Sequence, residues 1–261
     1  MNYTVQTKYD ELCLVIKISV FTPTVVRIKI FDAEKPKIVF TNRFKTIRNS
    51  DVFHIRMPIS SNTVIVSVYD NKKGNVPNGQ EKNIRVTSIE RIPLEKRLDV
   101  VDINNKMVAY FIDFAQRFSF NSPYLECNKT YRSDDNQFTI EYLPVIKASD
   151  GKEMKTPARI SKTTGRIQVS KKHFDDYTVP MRFAVLCHEF SHFYVNENMS
   201  DEMEADINGL LIYLGLGYPR TEGYQAFLEV FKDSSSPQNK KRLAVIEKFI
   251  KDFEKNNFVL R

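Results

Sequence analysis

The sequence predicts an α+β fold in which an antiparallel β-sandwich precedes a domain of mixed sheet and helices. Two observations support this prediction. Residues 1–95 contain short segments that alternate with a period of two, whereas several segments in residues 96–261 have apolar residues at helical spacing. A boundary is expected at Ile92-Pro93-Leu94. The predicted domains are therefore residues 1–95 and residues 96–261.

The first domain is predicted from its alternation and its turns. Thr22-Pro23, Asn49-Ser50 and Lys73-Gly74-Asn75 are turn signals between the alternating segments. About six strands are expected, in residues 12–20, 26–30, 38–40, 53–57, 64–68 and 84–89. A β-sandwich without a catalytic sequence pattern usually serves as a binding, docking or spacer domain, and no catalytic pattern occurs here.

The second domain is predicted to begin with a helix that Asp102 caps. A strand is expected at 138–146, and a hairpin at 158–161 and 166–170 around Lys162-Thr163-Thr164-Gly165. Pro180 is expected to precede the next helix, near its first turn. A break at 234–237 then precedes a final amphipathic helix at 240–254. The apolar stripe of the first helix is expected to comprise Ile103, Met107, Tyr110, Phe111, Phe114 and Phe118.

Composition limits the class of protein. The 261 residues are 42% hydrophobic and 27% charged, which is ordinary for a globular chain. The N-terminal stretch lacks a signal-peptide pattern, and no apolar run approaches the roughly 18 residues needed to cross a bilayer. We therefore expect cytoplasmic synthesis and no membrane span. Cys13, Cys127 and Cys187 are odd in number and show no CxxC spacing, which argues against a disulfide framework.

The net charge of +7 is distributed unevenly along the chain. Residues 1–95 contain 15 Lys or Arg against 9 Asp or Glu, whereas residues 96–261 contain 24 against 23. A polyanionic partner for the basic half is one interpretation, but the cations are scattered along strands and no nucleic-acid motif with interleaved aromatic residues occurs. A solvated face is the preferred interpretation, and nucleic acid is not expected to be read by sequence.

The most informative stretch is the HExxH motif at 188–192. His188 and His192 are four residues apart, so both lie on one face of a helix and can offer imidazole nitrogens to one cation. Glu189 is placed to face a bound water molecule. Cys187, next to His188, is interpreted as a small buried residue because neighbours on a helix diverge by about 100°. The pattern predicts a metal site that has its own base.

A third ligand is expected from the helix that follows. Ser200 is a plausible N-cap, which places Glu202 in the first turn, where a carboxylate can complete a His2Glu set. Glu204 or Asp201 can replace Glu202 if the helix begins elsewhere. The stretch between Arg182 and Arg220 contains no Lys or Arg, which also favours cation binding. It has six acidic residues, Glu189, Glu197, Asp201, Glu202, Glu204 and Asp206.

HExxH followed by Glu202-Met203-Glu204-Ala205-Asp206 resembles the pattern of the gluzincin metallopeptidases, HExxH and then ExxAD on a second helix. The resemblance implies a zincin-like domain in which His188, His192 and Glu202 bind Zn²⁺. It implies further that Glu189 is the general base and that Asp206 orients a ligand histidine. The connection of ten residues between His192 and Glu202 is shorter than in most large members of that family.

The main functional hypothesis is a zinc-dependent metallopeptidase that acts on a peptide or protein substrate. Zincins hold an extended peptide along an edge strand, a role expected here for 158–161 or 166–170. Many zincins also have a side chain that supports the oxyanion. Tyr213, seven residues after Asp206, is one candidate for that role, with core packing as the alternative.

Two other hypotheses compete with the peptidase. Residues 188–219 also resemble zincin-like proteins of crAss-like tailed bacteriophages. That resemblance implies a structural component of the virion neck, collar or tail, in contact with other virion proteins. Its metal site would be structural or would serve assembly or host entry. The third hypothesis is a regulatory protease that cleaves a repressor, since such proteases share HExxH with a nearby ExxA[DN] motif.

Overall fold

The computed structural model describes residues 1–77, 80–232 and 236–255. The fold is mixed α+β, with 35% helix and 31% strand. The chain divides into two compact units, Met1–Glu95 and Lys96–Arg261. Among the described residues, no helix is both long and apolar enough to cross a membrane.

The first unit consists of two antiparallel sheets. One has the strand order β1-β6-β3-β4 and the other has the order β5-β2-β7. The strands in the described part of this unit are β1 (Asn2–Gln6), β2 (Leu12–Val20), β3 (Thr24–Asp32), β4 (Val39–Ile47), β5 (Ser50–Met57), β6 (Thr63–Asp70) and β7 (Ile84–Pro93). The six predicted strands are present. The sequence analysis missed β1, which is half-exposed along its length.

Burial in these strands follows their position in the sheets. In β3, Val26, Ile28 and Ile30 are fully buried and alternate with partly exposed residues, as a strand with one solvent-facing side should. β2 differs from the alternation predicted for it, because Cys13 and Val15 are buried as well. β2 is the middle strand of its sheet and pairs with β5 and β7 along nearly its whole length.

Within its described residues, the second unit combines one four-stranded sheet with six α-helices. The sheet order is β10-β11-β9-β8, and its neighbours pair antiparallel except for β9 and β11. The strands are β8 (Lys129–Arg132), β9 (Thr139–Leu143), β10 (Ala158–Ile160) and β11 (Ile167–Ser170). The helices are α1 (Lys106–Asn121), α2 (Lys171–Asp176), α3 (Val179–Tyr194), α4 (Glu202–Gly215), α5 (Arg220–Phe231) and α6 (Pro237–Lys255).

α3 is the central helix of this unit. Thr178 caps it by accepting a hydrogen bond from the Met181 N–H, and Pro180 lies in its first turn. The Phe190 ring stacks on Phe111 of α1 at a centroid distance of 3.9 Å. The only exposed or half-exposed side chains of α3 are His188, Phe193 and Tyr194. Because the rest of the helix is buried, the HExxH residues are held on a rigid element.

Local capping differs from the sequence prediction at two helices. Asn105, not Asp102, caps α1, and Asp201, not Ser200, caps α4 by accepting from two backbone N–H groups. In the α1 stripe, Phe111, Phe114 and Phe118 are buried, but Ile103 precedes the helix and Tyr110 is 45% exposed. Of the predicted break at 234–237, residues 234 and 235 lie outside the described residues, and α6 begins at Pro237.

Candidate metal centre

Three side chains of the second unit converge at the junction of α3 and α4. The Nε2 atoms of His188 and His192 are 3.1 Å apart. The Glu202 carboxylate lies against both, with one oxygen 3.6 Å from His188 Nε2 and the other 3.5 Å from His192 Nε2. One donor atom from each of the three residues can be chosen so that all lie within 4.8 Å of one another. The arrangement gives two nitrogens and one carboxylate oxygen facing a common point.

The outer nitrogen of each imidazole also has an oxygen atom 3.0 Å away. His192 Nδ1 lies 3.0 Å from the Met199 carbonyl oxygen, which can only accept, so this nitrogen carries the proton. In the neutral ring the Nε2 lone pair of His192 then faces the cluster. His188 Nδ1 lies 3.0 Å from Oδ1 of Asp206, which is fully buried. Asp206 therefore occupies the position that the family resemblance implies for an orienting carboxylate.

The connection between α3 and α4 explains why Glu202 faces the histidines. Asp201 caps α4, accepting from the Met203 and Glu204 N–H groups. The Glu204 carboxylate accepts from the backbone N–H groups of Glu197 and Asn198. Asp201 and Glu204, the alternatives for the third ligand, thus stabilise the start of α4 and the connecting loop. Glu202, the first residue of α4, is the acid that reaches the histidines.

Glu189 lies in the same cavity as this cluster and is only 8% exposed. Burial raises the pKa of its carboxyl group, while the charge on the neighbouring His188 opposes the rise. The backbone N–H of Ile160 also favours the charged form of the carboxylate. A carboxylate with a raised pKa at the wall of a cavity is suited to taking up and releasing a proton near neutral pH.

The cavity has a volume of about 260 Å³ and two different walls. Ala158, Arg159 and Ile160 of β10 form one wall, and β10 is an edge strand of its sheet. The hairpin prediction left open which strand lies at the edge, and the structure places β10 there and β11 inside. Apolar side chains form much of the other wall, namely Val185, Ala226, Phe227 and Val230.

Arg242 of α6 is a member of the site that the sequence analysis missed. Its Nε and Nη2 atoms lie 2.7 and 2.8 Å from the two oxygens of Asp206, and Nη2 is also 3.2 Å from Glu202. The guanidinium lies 4.5 Å from the centre of the Phe231 ring. A signal was present, since Arg242 is four residues before Ile246 and so shares the apolar face of α6.

The charges of the cluster shift its titration. The adjacent imidazoles of His188 and His192 hold the pKa of Glu202 well below its usual range. Burial alone would lower the pKa of His188, but Asp206 and Glu202 outweigh it and raise the pKa to about 10. In the absence of a cation, a proton on His188 therefore neutralises part of the acidic charge.

Two neighbouring side chains are structural. Tyr213 is fully buried, stacks on Tyr218 and donates its hydroxyl hydrogen bond to the Pro219 carbonyl. The proposal of Tyr213 as an oxyanion donor is therefore wrong, and core packing is its role. Cys187 is also fully buried, and burial raises the pKa of its thiol well above the usual value. It behaves as a small core residue, as the sequence indicated.

Comparison with known proteins adds no family to these observations. No protein-family model matches the chain. The search of curated proteins also returned no match.

Proposed function

We propose that the protein is a zinc-dependent metallopeptidase with His188, His192 and Glu202 as ligands. The observation that carries this proposal is the convergence of two imidazole Nε2 atoms, 3.1 Å apart, on one carboxylate, with Glu189 in the same cavity. Three metal ligands with an adjacent carboxylate base are the arrangement found in enzymes that use a metal ion for hydrolysis.

The donor set fits zinc. Two neutral imidazole nitrogens in contact repel each other unless a proton or a cation lies between them. Zinc in catalytic sites is held by three such nitrogen and oxygen ligands, with a further position left for water. The outer nitrogens already have the partners that orient ligand histidines, Asp206 and the Met199 carbonyl. Zinc bound there would activate water and polarise a carbonyl group.

The residues around the ligands supply the remaining steps. The Glu189 carboxylate accepts a proton from the attacking water and delivers it to the leaving amine nitrogen. Burial keeps that carboxylate poorly hydrated, and the backbone N–H of Ile160 favours its charged form. Asp206 and Arg242 fix His188 and Glu202, so that the ligands do not have to reorganise during the reaction.

The substrate of this proposed peptidase is an extended peptide. β10 is an edge strand that borders the cavity, and such a strand offers unpaired backbone groups to a peptide. The peptide would lie beside β10 with its scissile carbonyl toward Glu189. The apolar wall of Val185, Ala226, Phe227 and Val230 would receive one of its side chains.

The finer fold assignment belongs to the same proposal. A zincin-like domain is supported by the HExxH helix α3, the following helix α4 with its carboxylate, and the edge strand beside the site. A β-sandwich in Met1–Glu95 is supported by two antiparallel sheets that each have a buried side. This first unit carries no side chain of the metal site and would serve docking or binding.

Metal content and hydrolysis together test the proposal. Wild-type protein should hold about one zinc per chain, and His188→Ala and Glu202→Ala should lose it. Glu189→Gln should keep the metal but should no longer hydrolyse peptides. Hydrolysis is measured by mass spectrometry on a peptide library. Glu197→Gln is the matched control, because that side chain is exposed on the connecting loop. Failure of the wild type to bind zinc after reconstitution would overturn the assignment.

The virion hypothesis predicts a different result from the same samples. A structural metal would be lost in His188→Ala with a large fall in unfolding temperature, while neither wild type nor Glu189→Gln would cleave any peptide. The repressor-protease hypothesis predicts one cognate cleavage and little activity on the library. Zinc binding without cleavage would therefore favour the virion hypothesis over the peptidase.

A further inference from the structure

One side of the sheet β1-β6-β3-β4 combines cations with aromatic rings. The strand register puts Arg27 directly between Phe44 of β4 and Tyr69 of β6. Two residues further along β3, Lys29 lies on the same side, followed by Phe31, which pairs with Ile65. We call the surface formed by Arg27, Lys29, Phe31, Phe44, Ile65 and Tyr69 the Arg27 face. It lies opposite the buried Val26, Ile28 and Ile30.

The Arg27 face is open to solvent and carries uncompensated positive charge. Phe44 is 66% exposed. Neutral amides hold the Arg27 guanidinium, with Nε 2.9 Å from Asn42 Oδ1 and Nη1 3.5 Å from Asn71 Oδ1. The Lys29 ammonium lies 5.4 Å from the centre of the Phe31 ring.

No carboxylate of the described strands neutralises this surface. The pairing register puts no Asp or Glu on the Arg27 face among the described residues. The two acids of these strands, Asp32 and Asp70, are buried and accept backbone N–H groups of the adjoining turns. A ligand that covers the face must therefore supply negative charge as well as flat surfaces for the rings.

We propose that the Arg27 face binds single-stranded nucleic acid without reading its sequence. Phosphates would lie against Arg27 and Lys29, and unpaired bases would stack on Phe44 and Tyr69, as in other single-strand sites. Duplex nucleic acid keeps its bases stacked internally, so it would leave these rings without partners. An acidic peptide would satisfy the cations, but not the exposed Phe44 ring or the half-exposed Tyr69 ring beside them.

The proposed nucleic-acid site does not involve the metal centre. Its basic and aromatic residues come together only when the strands pair. Arg27, Phe44 and Tyr69 are far apart in sequence, so no aromatic-basic motif is visible until the strands pair. It also agrees with the expectation that nucleic acid is not read by sequence, because stacking and phosphate contacts tolerate any base.

Fluorescence anisotropy of the full chain with a labelled oligothymidine tests the proposal. Phe44→Ala leaves the charge unchanged and should weaken binding by about tenfold, since a stacked base contributes on the order of 1–3 kcal/mol. Arg27→Gln with Lys29→Gln should weaken binding and reduce the slope of log affinity against log salt by about 1.4, or 0.7 per phosphate contact. Circular dichroism checks that each variant is folded.

The controls separate the Arg27 face from general basicity. Arg56→Gln with Arg85→Gln removes the same charge from exposed residues of the other sheet and should leave both the affinity and the Phe44 effect unchanged. Equal affinity for duplex and single strand, or no effect of Phe44→Ala, would overturn the proposal. Displacement of the oligonucleotide by polyglutamate at equal charge concentration would also overturn it and would indicate an acidic protein partner.

Discussion

Arg242 forms a two-pronged ion pair with Asp206, which in turn lies 3.0 Å from His188 Nδ1. The same guanidinium lies 3.2 Å from the Glu202 carboxylate. A residue of α6 thus orients one ligand of the proposed metal through Asp206 and contacts another directly. Since both acids are held by one planar cation, the positions of His188 and Glu202 are coupled.

Replacement of Arg242 should weaken metal binding. For Arg242→Met we expect a loss of zinc affinity of about 10- to 100-fold, because the orientation of His188 and Glu202 is no longer fixed. The affinity is measured by competition with a chromogenic chelator. Lys241→Met, an exposed neighbour on α6, is the control and should bind zinc as the wild type does.

The same substitution leaves Asp206 as a buried charge without its arginine, which costs about 3–5 kcal/mol of unfolding free energy. Adding Asp206→Asn to Arg242→Met removes that charge and should restore part of the stability but not the zinc affinity. Wild-type affinity in Arg242→Met would show that the arginine supports only the fold.

Replacement of Glu189 should separate metal binding from catalysis. Glu189→Gln is nearly isosteric and lies outside the ligand set, so we expect the zinc content to remain unchanged. Loss of the base should reduce the hydrolysis rate by about 10²- to 10⁴-fold. The measurement is the initial rate on a peptide identified from the library, at matched zinc content. A rate within a few-fold of the wild type would refute the role of Glu189 as the base.

The metal-free chain should lose stability as the pH rises. Burial lowers the pKa of His188, but Asp206 and Glu202 raise it from the ordinary 6.5 to about 10. Because the folded chain binds this proton more tightly than the unfolded chain, the stabilisation is complete below about pH 6.5. It is lost progressively as the pH approaches 10. The expected loss is on the order of a few kcal/mol.

Urea unfolding of the metal-free protein across that pH range measures the effect. His188→Gln is the reference, since its difference from the wild type isolates one histidine from the lysines and tyrosines that titrate at high pH. The zinc-loaded protein should lack the dependence, because a ligating nitrogen cannot take up the proton. Parallel curves for metal-free wild type and His188→Gln would contradict the prediction.

Local patterns in the sequence were sufficient where the chemistry depends on neighbours along the chain. The spacing of His188 and His192 puts both imidazoles on one face of a helix, whatever surrounds it. The preference for Glu202 over Glu204 depended on where the next helix begins. The N-cap proved to be Asp201 instead of Ser200, but Glu202 still lies in the first turn.

Features that depend on tertiary packing could not be predicted in the same way. Tyr213 lies at helical spacing from Asp206, yet it stacks on Tyr218 in the core. Tertiary packing, which the local sequence does not contain, decides whether the Tyr213 ring faces the core or the site. Arg242 reaches Asp206 across 36 positions of sequence. The edge position of β10 depends on strand order, which alternation within the hairpin does not contain.

Gly209 sets the distance between the two ligand-bearing helices. A Cβ atom at this position would lie 2.8 Å from the His188 backbone nitrogen, so Gly209 permits close contact between α4 and α3. Gly209→Ala should force the helices apart, cost about 1–3 kcal/mol of unfolding free energy, and move Glu202 away from the histidines. We expect weaker zinc binding together with the loss of stability.

Gly151→Ala is the control for a loss of stability alone. Its added Cβ has nothing within 4 Å, but its φ of +82° is unfavourable for alanine, so the cost is about 1 kcal/mol and falls outside the site. Unfolding temperature and zinc affinity are measured for both variants. Only Gly209→Ala should lose zinc affinity, because only that substitution displaces a ligand helix. Equal zinc affinities in the two variants would show that α4 can move without disturbing Glu202.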